Sequence, residues 1–224
     1  MSAMVLRAEA TIRAVLRRRL AVGILITMPV AFYLVTHDSV GRSIRALVFG
    51  ISWAVSTVAF FATVSARDVE PRLGLAGWRR RDLVLGRLAG LIGLVLVLSA
   101  VFGALVGIDQ DVRSLSAVVV DFVVTGAVAV AVGTTVGAVI GKEMEGTLIL
   151  FFLAGLQAIA NPFDAWSRAL PFWSSRELGT WAVDGPEIGS LPEGLTHSLI
   201  VIALCGLLVA LSSRARRPNS RGLR

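Results

Sequence analysis

An all-α integral membrane fold is what this sequence predicts, and three observations predict it. Hydrophobic residues make up 55% of the 224 residues and charged residues only 17%, against roughly 45–50% and 25% in a soluble domain. Six windows without Asp, Glu, Lys or Arg recur along the chain, each 18–21 residues long. A spanning helix needs about 20 apolar residues. The basic residues are also partitioned: 17 of the 22 Lys and Arg fall in alternate connecting segments and 5 in the others. One buried core helix would explain one charge-free window. Six leave too little polar sequence to wrap them, and charge is kept out of a bilayer centre because it is expensive there.

The windows place spans at 20–37, 46–66, 88–108, 115–141, 146–163 and 194–213, in a single domain over 1–224. The basic excess puts both termini in the cytoplasm. It also accounts for most of the formal charge of +7, so nucleic-acid binding is not expected. The first apolar run is long and no small-residue cleavage site follows it, which predicts no cleavable leader.

Residues 1–19 precede the first span. At 100° per residue, Met1, Met4, Val5, Ala8, Ile12, Val15 and Leu16 share one arc, and Arg7, Arg13, Arg17 and Arg18 the opposite one. That pattern predicts an amphipathic helix in the cytoplasmic interface, its arginines toward lipid headgroups or a partner. A plain basic anchor for the first span fits the same periodicity. Within that span, Pro29 predicts a bend.

Between the second and third spans lies the longest cytoplasmic connection, 67–87. Pro71, Gly74 and Gly77 are expected to break it into short pieces. Trp78 and the run Arg79, Arg80, Arg81 then lead into the third span. So long a connector, with a Trp at its tip, suggests a docking surface; a solvated turn whose Trp anchors at the interface fits the same residues. Small residues four apart, Gly86 and Gly90, Gly103 and Gly107, and Gly133, Gly137 and Gly141, predict close helix packing within the subunit. Asp121 is the one carboxylate close to a span interior. It reads either as a shallow residue at the outer interface or as the lining of a polar pathway. Asp109 and Asp111, with Arg113, read as a solvated turn. The exterior segment 164–193 follows Phe163 and carries Trp166, Phe172, Trp173 and Trp181 among prolines, which suits a segment resting at the outer membrane interface.

Catalytic constellations are not found. Gly137 to Glu143 looks like a phosphate loop but has three residues between its glycines where four are needed, and Glu143 stands where Ser or Thr would bind magnesium. Cys205 is the sole cysteine, which excludes a multi-Cys metal site. His37 and His197 lie near outer span ends, far apart in sequence. No cofactor or metal is therefore expected in this chain.

The order of these parts resembles the membrane (permease) subunit of ABC transporters of the type-2 exporter class. Its most telling pieces are the arginine-rich lead-in and proline-containing first span over 13–29, and the stretch 72–87. The latter is similar to that class's loop, in which a short helix precedes a basic-Leu-x-x-Gly-Arg approach to the third span. The resemblance implies two such subunits, identical or related, docked on separate ATP-binding subunits that hold ATP and magnesium. It implies coupling through Leu73, Trp78, Arg79, Arg80 and Arg81, and a place in a bacterial cytoplasmic membrane. A non-transporting scaffold subunit, or less readily a lipid-modifying membrane enzyme, stays open on the residues alone.

Overall fold

The computed structural model describes residues 3–160, 164–185 and 187–215. Met1 of the amphipathic lead-in, the last residues of the fifth expected span (161–163), Pro186 and the basic stretch 216–224 lie outside the described residues. Among the described residues eight α-helices follow one another: α1 (Ala3–Arg17), α2 (Arg19–Val35), α3 (Val40–Leu75), α4 (Arg80–Asp109), α5 (Leu115–Val139), α6 (Glu143–Ile159), α7 (Trp173–Val183) and α8 (Leu191–Ala215). A short 3-10 turn, Ala165–Ala169, precedes α7. Among the described residues there is no β-strand, as hydrocarbon requires of a fold that does not close a barrel.

Among the described residues four helices, α3, α4, α5 and α8, are long and apolar enough to cross a membrane. A fifth span arises if α1 and α2, bent by 79° at their junction, are counted as one. The chain is thus an all-α protein with the spans of a membrane protein. The windows at 20–37 and 146–163 became helices of 17 residues each, about 25 Å at ~1.5 Å per residue.

α3 and α5 form the centre. They run in the same direction, and glycines let their backbones meet. A Cβ on Gly133 would strike the carbonyl of Ser56, and one on Gly137 would lie 2.8 Å from Thr63 Cβ. α3 buries Leu47, Ile51, Val55 and Phe60 here, against Val128, Ala129 and Val132 of α5. Lipid offers no hydrophobic drive between helices, so this close packing is what holds them. The buried hydroxyls of α3 are satisfied locally: Ser52 donates to Phe49 O (2.7 Å), Ser56 to Trp53 O (3.0 Å) and Thr63 to Ala59 O (2.8 Å).

The other helices are seated by the same small-residue logic. Gly50 of α3 approaches Pro29 of α2, where a Cβ would be 2.6 Å from the proline Cα. Gly103 and Gly107 of α4 receive Val119 and Leu115 of α5. Gly86, Gly90 and Gly93 of α4 meet α1 in order, at Met4 and Arg7, at Ala8 and Thr11, and at Ile12. α1 therefore packs alongside the start of α4, in the same direction. The repeats expected to pack within the subunit do so, except that Gly141 lies past the end of α5 in a turn with φ +69°. α7 closes the end of the bundle opposite the α3–α4 turn, with Leu178 under Gly194 of α8 and Gly179 over α5. α8 is the most peripheral span: only 11% of its apolar window is buried, against 67% for α3.

Candidate partner-coupling hairpin and buried polar groups

The connection expected as a broken loop over 67–87 is a helical hairpin. α3 continues through Pro71 to Leu75, and α4 starts at Arg80. Proline removes one N–H and crowds one carbonyl, and here the flanking turns carry the helix across it. The true turn is a Schellman motif: Trp78 N–H donates to Leu73 O (3.1 Å) and Gly77 N–H to Gly74 O (3.1 Å), with Gly77 at φ +90°. At 36 residues α3 is about 54 Å long, far more than the ~30 Å of hydrocarbon. Leu73 and Trp78 are half-buried at the tip, and Arg79, Arg80 and Arg81 are exposed. None of these three arginines has an ion pair with a described residue. A cavity of about 450 Å³ sits in the crotch, lined by Arg67, Glu70, Pro71, Gly74, Arg80 and Leu83.

The base of the hairpin is locked by charge. Arg87 Nη1 donates to Glu70 Oε1 (2.5 Å), and Arg7 Nη2 lies 3.6 Å from the same oxygen. Arg87 is only 5% exposed. One carboxylate thus ties α1, α3 and α4. Beside it, Arg67 Nη2 donates to the carbonyls of Gly137 (2.6 Å) and Ala138 (2.8 Å). That places a cation on orphan carbonyls at the C-terminus of α5, where the helix dipole favours it.

This geometry alters the expected split of α1. Arg7 faces inward to Glu70, and Thr11 and Val15 are buried with it, while Met4, Val5 and Leu16 are exposed. The helical wheel grouped Arg7 with the other arginines because Glu70 lies 63 positions away in sequence. The remaining arginines do face outward: Arg13 pairs with Glu9, Arg18 reaches Ser65 Oγ (3.3 Å), and Arg17 is exposed.

Asp121 is enclosed by protein on every side. It is 0% exposed. Thr125 Oγ1 donates to its Oδ1 (3.0 Å), and Oδ2 has no hydrogen-bond partner. α7 covers it: Oδ2 lies 3.1 Å from where a Cβ of Gly179 would sit. Arg45 passes the same point with its Cγ and pairs with Asp184 (3.0 Å). Asp121 lines neither the hairpin cavity nor the larger cleft described below. Its cover comes from α7, within the segment 164–193, whose helical fold the aromatic content alone did not reveal.

Asp109, expected in a solvated turn, ends α4 and gathers α2. It accepts hydrogen bonds from Tyr33 Oη and Gln110 Nε2, and meets His37 Nε2 at 2.9 Å. Glu70, Arg87, Arg67 and Tyr33 were the residues that sequence reasoning passed over. Arg67 and Arg87 carried a signal, a charge bordering a charge-free window that marks a position where a partner is needed; Glu70 and Tyr33 carried none.

Chemically, the hairpin tip can offer exposed guanidinium groups and a Trp anchor to another surface. Among the described residues there is no group of three His, Cys, Asp or Glu side chains placed to hold a metal. No family model, curated protein or solved structure matches the chain.

Proposed function

We propose that the chain is the membrane-spanning permease subunit of an ATP-driven ABC exporter in a bacterial cytoplasmic membrane. Two copies, or one copy and a related chain, form the substrate path. ATP and magnesium are held by a separate ATP-binding subunit. The observation that carries the reading is the hairpin. A 36-residue helix turns through a hydrogen-bonded motif directly into the next span, so a push on its basic tip has no flexible spacer to absorb it. The resemblance of the part order to type-2 exporters agrees with this. In this reading α2 and α6 are two further, short spans, giving six, and both termini lie in the cytoplasm on the side of the basic excess. α6 leaves Leu148, Phe151 and Phe152 exposed, which leaves room for the second membrane subunit.

The test is co-purification with the cognate ATPase and transport-coupled ATP hydrolysis. Trp78→Ala removes an anchor of a kind that contributes about 2 kcal/mol or more, a loss of about thirtyfold in partner affinity. Reversing Arg79, Arg80 and Arg81 to Glu changes the salt dependence of binding more than its strength. Both variants still insert, since the spans are untouched. If the arginines served only to orient the chain, insertion would change and partner affinity would not. Full binding and full coupled turnover in both variants would remove the hairpin as the transmission element.

A further inference from the structure

We infer that the lateral cleft between α4 and α8 is a binding site for one anionic phospholipid of the leaflet on the Arg80 side. The cleft encloses about 780 Å³. Its floor is α5, its walls are α4 and α8, and the extension of α3 closes one end. Three zones follow one another along it.

The closed end is basic. Arg67, Arg80, Arg81 and Arg87 line it with Glu70 as the one carboxylate. Glu70 is engaged by Arg87, and Arg67 by the carbonyls of α5. Arg80 and Arg81 are exposed and carry no ion pair. The net positive charge there asks for an anion that can be reached from the side. About one helical turn further along the floor, Thr134 carries a buried hydroxyl with no partner. Its neighbour Thr135 donates to Ala131 O (2.8 Å), so the unmet donor at Thr134 is not a general feature of this helix. Beyond it the lining is apolar: Val130, Ala127 and Ile92.

The dimensions suit a lipid. From Ala138 to Ala127 the floor extends about 16 Å at ~1.5 Å per residue. One leaflet contributes about half of a ~30 Å hydrocarbon core. Anion, ester depth and acyl depth of a phospholipid therefore meet guanidinium, hydroxyl and apolar wall in turn. Basic pockets between spans are general recognition sites for such headgroups. A neutral phospholipid would leave the basic end unanswered, and free phosphate would leave the apolar length empty.

This site stands on membrane placement and not on coupling to an ATPase, so either reading can fail alone. The experiment uses the full chain, purified in neutral detergent, with binding followed by native mass spectrometry and thermal shift. Phosphatidylglycerol is titrated against phosphatidylcholine of identical chains, with inorganic phosphate as competitor. One phosphatidylglycerol should bind and raise the melting temperature, and phosphatidylcholine and phosphate should do neither. Arg80→Gln with Arg81→Gln should weaken binding about thirtyfold, since each basic residue near an anionic surface contributes about fivefold. Gly206→Leu is the blocking variant: Gly206 lines the cleft and a Cβ there meets nothing within 4 Å. It should lose binding while its lipid-free melting temperature is kept. Equal binding of the two lipids, displacement by phosphate, unchanged affinity in the arginine pair, or dimerisation of the chain through this face would each overturn the assignment.

Discussion

Removing Glu70 should undo the junction of three helices. Glu70 is the sole anion between Arg87 and Arg7, whose side chains are 6% and 16% exposed, and it is itself 17% exposed. Glu70→Gln keeps the size and one acceptor but leaves two crowded guanidinium charges without a counter-ion. Breaking a buried pair from one side costs about 3–5 kcal/mol; the partial exposure of Glu70 places this case near 3. The double variant Glu70→Met with Arg87→Met removes the pair together. It should stay within about 1 kcal/mol of the parent, as apolar replacement of buried pairs commonly does, with Arg7 free to turn to water. Two measurements check this. Unfolding of the detergent-solubilised chain reads the global loss. Amide exchange over Ala3–Arg17 reads whether α1 is released, with protection falling about a hundredfold for 3 kcal/mol. A Glu70→Gln chain within 0.5 kcal/mol of the parent, or a double variant no better than the single, would refute the reasoning.

Arg67→Ala should uncover the carbonyls of Gly137 and Ala138 and cost about 1–2 kcal/mol, read as faster exchange at the end of α5 before any change elsewhere. Asp121→Asn keeps the acceptor for Thr125 and removes a carboxylate with an unpartnered oxygen; its thermal stability should equal or exceed the parent's, and a loss above about 2 kcal/mol would mean the carboxylate itself is needed. Cysteines placed at Trp181 and Arg217 in a Cys205→Ser background should label from opposite sides of the membrane.

The apolar helices were legible because hydrocarbon imposes a one-dimensional signal, the absence of charge over a bilayer's thickness. Each of the six windows is helical over most of its described residues. The ends were less so, since α3 runs nine residues beyond its window and α6 begins at Glu143. Glycine spacing marked the contacts of α4 and α5 correctly, because close approach depends on the residue itself. What stayed hidden depends on pairs distant in sequence. Arg7 looks like any lead-in arginine until Glu70 stands opposite it. Asp121 looks open to its surroundings until α7 folds over it. Pro71 and Gly74 look like helix breakers, yet the turn is set by Gly77, the one residue of the hairpin with positive φ.

That last distinction makes a pair of opposite predictions at the hairpin tip. At both Gly74 and Gly77 an added Cβ meets nothing within 4 Å. Sterics with neighbours are thus equal, and only backbone conformation differs. Gly74 lies in the last turn of α3, so Gly74→Ala should stabilise the tip by about 0.5–1 kcal/mol through reduced chain freedom. Gly77 sits at φ +90°, so Gly77→Ala should cost about 1–2 kcal/mol. The reporter is the amide of Trp78, which donates to Leu73 O across the turn. Its exchange should quicken about fivefold to thirtyfold in Gly77→Ala and slow in Gly74→Ala. The global unfolding transition should barely move, because the tip lies beyond the spans. Effects of the same sign in both variants would reject the left-handed turn as the element that makes the hairpin stiff. If the signs are opposite and coupled ATP hydrolysis follows them, weakest in Gly77→Ala, then stiffness at the tip is what transmits the push. Opposite signs with unchanged turnover would leave the turn intact as structure and deny it that role.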